Sequence, residues 1–336
     1  MKRTLIFFVV LSVLFAGCSP RELSSEEKSV MYTAAVETVG AQLTADFEKI
    51  PTSTPTPVPP TPEPTATETA TLAPTSSPTP SWNMVGPGDV ECLLLMYNSI
   101  ASNTDEDPFY QWESDTFISM DDFRYQLKVL KESGYTSIPV SLLTEAIYSG
   151  AELPPKPVII TFEASHRNLY ETTFPIMQEF GFTGTVFLVQ DYTNGKYMAT
   201  SDQIKEMIAA GWEIGSRGKS GDVNLTSPGQ DLGPEISGSR LYLEETYGVS
   251  VTTFSYPGGA MDANVVSRVS EWGYRSAVGI FKSTTAGFAN IYYLPRYEVL
   301  NTWTDEDFYN VLPWKPMNMP ARDAAPATEA TEQPAS

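Results

Sequence analysis

Lys156-Pro157-Val158-Ile159-Ile160-Thr161-Phe162-Glu163-Ala164-Ser165-His166 is the stretch on which the fold turns. Val158 to Phe162 is an unbroken run of apolar and β-branched residues of strand length, which reads as a buried strand. At Glu163 the run gives way at once to polar residues. A strand that ends in a carboxylate and a histidine is a place to look for chemistry.

Working outward, similar apolar runs recur at Cys92–Tyr97, Thr185–Val189, Glu213–Gly215, Thr252–Tyr256 and Ser276–Ile280. Helical patterns lie between them. Ser119-Met120-Asp121-Asp122-Phe123 opens one helix, with Phe123, Leu127 and Leu130 on one face and Gly134 as its stop. Others are expected at Tyr170–Phe180, Ser201–Ala210, Leu232–Tyr247 and Ala263–Trp272, several followed by glycine, the residue that most readily takes the left-handed conformation closing a helix. Strands alternating with helices imply parallel pairing and an α/β sheet or barrel covered by helices. In such folds the functional groups gather at the carboxyl ends of the strands. The ends to inspect are Tyr97-Asn98, Glu163 to His166, Ser216 to Asp222 and Pro257 to Gly259.

The flanks differ in kind. Lys2 and Arg3 precede an apolar stretch from Leu5 to Ala16, too short for a comfortable membrane span and of signal-peptide length. It ends in Leu14-Phe15-Ala16-Gly17-Cys18, which resembles a bacterial lipobox although Phe15 stands where leucine is usual. That resemblance implies removal of residues 1–17 and lipidation of Cys18, with the chain held at the bacterial cell surface outside the cytoplasm; the other reading is an ordinary signal peptide cut near Gly17. Residues 18–50 carry a thin helix-like apolar stripe. Residues 51–82 are built from Pro, Thr, Ser and Ala, a composition that buries no core and favours extended polyproline II. At ~3.1 Å per residue such a spacer reaches about 90 Å. One globular domain is expected over 83–314, and a low-complexity, disordered tail over 315–336. The formal net charge of −20 disfavours a nucleic-acid partner, because an acidic surface repels phosphate. Neutral or cationic glycans are compatible with it. The only cysteines are Cys18 and Cys92, too few for a disulfide framework, and Cys92 reads as a core thiol.

The strand ends resemble the motif positions of the polysaccharide deacetylases, the NodB-type domains of carbohydrate esterase family 4. Lys156 to Phe162 is similar to the strand that leads into the family's Thr-Phe-Asp-Asp-Gly motif. Phe174-Pro175-Ile176, Gly181-Phe182 and Thr185-Val186-Phe187 resemble the helix and strand after it. Ala210-Gly211-Trp212-Glu213-Ile214-Gly215-Ser216 resembles the lead into the histidine motif, and Leu294-Pro295-Arg296 resembles a common late segment. The resemblance implies a distorted (β/α) barrel of the NodB type. It also implies a divalent metal such as zinc, held by one Asp and two His, which activates water, and a separate Asp as general base.

At those positions this sequence departs from the pattern. Glu163 stands at the base position, and Ala164 at the metal Asp. Arg217 stands at the first histidine, and Gly221 or Asp222 at the second. Ser255 stands where the family has arginine, and Asn98 where relatives often have histidine. No bound metal cofactor is therefore expected. Arg217 would repel a divalent cation, and is expected either to pair with Glu163 or Asp222 or to face solvent. His166, the chain's one histidine, is either a rim residue or a ligand contact. Trp212 and Tyr256 are the aromatic residues expected to line a sugar groove, alongside Asn98, His166, Arg217 and Asp222. The expected function is that of a membrane-anchored, non-catalytic module binding a cell-envelope polysaccharide or peptidoglycan-like glycan. Two alternatives remain: a deacetylase cleaving amide C–N bonds through a site rebuilt on Glu163, and an envelope protein that binds another protein in the old cleft.

Overall fold

A computed structural model describes residues 87–101, 115–163, 165–221 and 223–322. The expected signal peptide, Cys18, the 18–50 helix and the 51–82 linker lie outside the described residues, as do Trp112, Ala164, Asp222 and the tail beyond Arg322.

Strands β1 (Val90–Glu91), β2 (Leu93–Tyr97), β3 (Ser99–Ala101), β4 (Phe117–Ser119), β5 (Thr136–Ser137), β6 (Pro157–Glu163), β7 (Thr185–Leu188), β8 (Glu213–Ser216), β9 (Thr253–Ser255), β10 (Ser276–Val278), β11 (Thr285–Ala286) and β12 (Tyr297–Glu298) form the sheets. Helices α1 (Met120–Glu132), α2 (Val140–Ser149), α3 (Phe174–Phe180), α4 (Ser201–Ala209), α5 (Ser239–Tyr247), α6 (Ala263–Glu271) and α7 (Asp305–Val311) pack around them. The main sheet runs β10-β9-β8-β7-β6-β2-β12, with β5 added against the start of β6. Every pairing in it is parallel. Its central strands are buried on both faces: every residue of β2 and of β6 is buried, as continuous apolar runs require.

The sheet curls, and one extended segment touches both of its edges. Leu294 forms a parallel bridge to Val278 of β10. Three residues later β12 pairs with Leu95 and Met96 of β2. The result is the α/β, distorted (β/α) barrel expected from the sequence. Arg296 lies between the two attachments, so its side chain is delivered to the barrel interior.

Local chemistry explains most of the elements. Ser119 caps α1, its Oγ accepting from Asp122 N at 3.1 Å, and Thr200 and Gln203 form a reciprocal capping box on α4. The helix α2 follows Pro139 and has no cap of its own. Instead the Glu213 carboxylate, from the start of β8, accepts from Val140 N at 2.7 Å and Ser141 N at 3.1 Å, and from Thr185 Oγ1 at 2.9 Å. The helices expected at 170–180 and 232–247 each begin with a wider π turn, Leu169–Thr173 and Gly233–Gly238. Cys92 is fully buried, and burial pushes its thiol pKa well up, which leaves it an inert core residue.

The expected boundary at residue 314 is too early. Tyr125 Oη and Lys128 Nζ of α1 donate to the carbonyls of Pro320 and Ala321 at 3.1 and 3.0 Å. Arg322 stacks over the Tyr125 ring and pairs with Asp122 and Asp305. Residues 315–322 thus belong to the folded unit. Among the described residues no helix is long and apolar enough to cross a membrane.

Candidate functional site

Glu163 is the last residue of β6 and points into the barrel mouth with 3% of its surface exposed. Three elements converge on its carboxylate. From the closing segment, Arg296 Nη1 donates to Oε1 at 2.5 Å. From the end of β9, Ser255 Oγ donates to the same carboxylate, 2.9 Å from Oε1 and 3.2 Å from Oε2. From the residue after β8, Arg217 Nε lies 2.8 Å from Oε2. The Arg217 N–H is not aimed at that oxygen, so this second contact is an ion pair without an aligned hydrogen bond.

Arg296 is itself 1% exposed, and protein atoms meet its donors: Nε reaches Gly279 O at 2.8 Å, Nη1 also reaches Thr161 Oγ1 at 3.2 Å, and Nη2 reaches Ser255 Oγ at 3.1 Å. Its guanidinium also sits 5.4 Å from the centroid of the Phe187 ring. Burial alone would raise the Glu163 pKa. The charges of Arg296 and Arg217, with the hydrogen bonds from Arg296 and Ser255, outweigh it and hold the carboxyl below its ordinary value. Glu163 is therefore an ionised, fully engaged carboxylate.

Above this cluster opens a cleft of about 560 Å³. Asn98 and Ser99 line it after β2, Thr116 and Phe117 at β4, and Glu163 and His166 after β6; Arg217 lines it after β8. Asn98 Nδ2 donates to Glu298 Oε1 at 3.1 Å. The loop after β7 supplies a further wall with Asp191, Tyr192, Lys196, Tyr197 and Met198, tied to the β6 side by a bridge between His166 and Met198.

Of the residues singled out from the sequence, Glu163, Arg217, His166 and Asn98 share this cleft. Trp212 and Tyr256 do not, which corrects the expectation of an aromatic groove built on them. Trp212 precedes β8, at the end of the strand opposite the mouth. It is buried against Phe162 and Phe174, with ring centroids at 5.3 and 5.8 Å. Tyr256 is 2% exposed, packs edge-on to Phe254, and donates its hydroxyl to Tyr292 O at 2.9 Å. Two groups of site residues went unread in the sequence. Arg296 carried a signal, being a lone cation in the apolar run Tyr292-Tyr293-Leu294-Pro295, where a charge must find a carboxylate. The wall after β7 carried only the general rule about strand ends.

The described residues of the cleft do not fit a divalent metal. Glu163 already serves two guanidiniums and a hydroxyl, and a permanent cation stands at Arg217. Gly221, one of the two positions expected for the second histidine, has φ +82°, and a Cβ there would come within 2.7 Å of Val189 Cγ2, so a histidine does not fit at that position. Among the described residues no three His, Cys, Asp or Glu side chains converge.

A curled parallel sheet with this strand order and a carboxylate at the end of β6 defines the NodB-type class of (β/α) barrels. Residues 150–277 match the polysaccharide deacetylase family model. YxkH of Bacillus subtilis (strain 168), whose name places it among the polysaccharide deacetylases, is 23% identical over 207 residues, covering 61% of this chain and 70% of YxkH. The poly-β-1,6-N-acetyl-D-glucosamine N-deacetylase of Escherichia coli (strain K12) is 37% identical over 57 residues, 17% of this chain and 8% of that enzyme. The structure of the Streptococcus pyogenes deacetylase PplD superposes with a TM-score of 0.60 at 20% identity, over 66% of this chain and 98% of that one.

Proposed function

We propose that this domain is a non-catalytic glycan-binding module that retains a polysaccharide deacetylase fold without its metal chemistry. One observation carries the reading: the carboxylate at the general-base position is neutralised by guanidiniums, one of which stands at a metal-histidine position. A general base works best with a proton affinity matched to the operating pH and an oxygen free to accept, whereas two arginines and a serine lower the proton affinity of this carboxylate and engage both its oxygens. The E. coli relative is named for poly-β-1,6-N-acetyl-D-glucosamine, which supports a cell-envelope polysaccharide as the ligand class here. The amino-terminal sequence supports an extracytoplasmic location, with Cys18 as the lipid anchor and the Pro/Thr-rich segment as a spacer.

The test uses the full chain, purified in detergent and loaded with zinc, cobalt, nickel or manganese. Metal content per chain and acetate release from N-acetylglucosamine oligomers are measured. The expected outcome is no stoichiometric metal and no acetate. One tightly held metal per chain together with acetate release, lost in Glu163→Gln, would overturn the proposal and establish a deacetylase with a rebuilt site.

A further inference from the structure

We propose that the glycan accepted by this cleft carries a negatively charged group, a carboxylate or a phosphate, with Arg217 and Lys196 as its counter-ions. The inference rests on the glycan-binding reading and adds the charge of the ligand to it.

The argument begins with the charges around Glu163. Arg296 alone neutralises that carboxylate and is consumed in doing so, because it is fully buried and protein atoms meet its donors. Arg217 is a second cation on a carboxylate that needs only one. Its contact with the described residues runs through Nε, and its side chain keeps 22% of its surface exposed at the cleft wall. Lys196, on the loop after β7, is exposed on the same cleft, with its ammonium 4.8 Å from the centroid of the Tyr197 ring. Asp191, exposed on the rim, is the other carboxylate among the lining residues. Glu163 is buried, so among the described lining residues the charges a ligand can reach are Arg217 and Lys196 against Asp191.

Which of these charges governs binding depends on distance. At physiological ionic strength exposed charges are screened over about 8 Å. The remote acidic surface is then attenuated, whereas groups in contact with the ligand are not. A planar guanidinium at the wall of a cleft matches the paired oxygens of a carboxylate or phosphate. A neutral acetamido sugar gains nothing comparable from a surplus cation.

The experiment is calorimetric titration of the full chain with tetragalacturonate, with a glycerol-phosphate oligomer and with neutral tetra-N-acetylchitotetraose, at low and physiological salt. One of the two acidic probes is expected to bind about tenfold or more tighter than the neutral one, the gain that one charge-assisted hydrogen bond supplies, and to weaken as salt rises. The acidic probe that binds identifies the source of the charge. Arg217→Gln and Lys196→Gln are each expected to remove most of that preference. Lys196 is exposed, so its variant reports on binding even if the Arg217 variant folds poorly. Binding of the neutral probe as tight as that of both acidic ones, unchanged in Lys196→Gln, would overturn the charge assignment and leave the glycan-binding reading standing. Failure of all three probes to bind would overturn both.

Discussion

At the scale of single residues, the decisive feature is a carboxylate shared between two guanidiniums and a hydroxyl. A buried ion pair is costly to break because the surviving charge has nowhere to go. Arg296→Met is expected to destabilise the domain by about 3–5 kcal/mol in urea denaturation. Adding Glu163→Gln to that variant is expected to restore part of the loss, since the buried anion, left with Arg217 and Ser255 alone, is gone. The same pair sets an acid limit. The Glu163 pKa is depressed below its ordinary value of 4.5, so the group contributes stability above pH 4.5 that disappears as pH falls through the lower, folded-state value. A stability–pH curve for Glu163→Gln should therefore lack part of the acid slope of the natural protein. A slope unchanged by that substitution would mean that Glu163 is not held as an anion.

At the scale of elements, what could be read from the sequence depended on how local the cause was. β2, β6 and β7 follow from continuous apolar runs, and α1 and α4 from their own caps. The helix α2 was not legible, because the group that satisfies its first amides is Glu213, more than seventy positions away in the chain. β12 was missed for a similar reason: two residues become a strand only when the sheet curls to meet them. The site shows the same division. Glu163 and Arg217 follow strand ends and were found by position, whereas Arg296 reaches them through barrel closure. Trp212 was misplaced because nearness in sequence to a strand does not say which end of it a side chain occupies. Its true role is packing between β6 and α3. Trp212→Ala is expected to cost about 3–5 kcal/mol of stability, as large-to-small changes in a core do. The folded fraction should keep its affinity for a cleft ligand. A selective loss of affinity with stability intact would restore Trp212 to the binding surface.

At the scale of the whole molecule, the folded unit is longer than the barrel. Residues 315–322 lie along α1 and connect it to the start of α7 through Arg322. Truncation after Trp314 is expected to lower the Tm seen by calorimetry by about 2–4 °C for each kcal/mol those contacts contribute. An unchanged Tm would show that the strap adds nothing to stability. The barrel's closure also has a consequence in time. Tyr297 pairs with Leu95 across about 200 residues of chain, a separation of the kind that slows folding because the intervening loop must be closed first. Synthesis runs from the amino terminus, so β2 and β6 emerge long before the segment that joins the edges of the sheet. Glu163 accordingly waits for Arg296, and a nascent chain cut short before that point has Arg217 as the only described cation beside that carboxylate. Completion of the ring and arrival of the buried, hydrogen-bonded cation are a single late event, which makes the Arg296–Glu163 pair a checkpoint for a full-length chain.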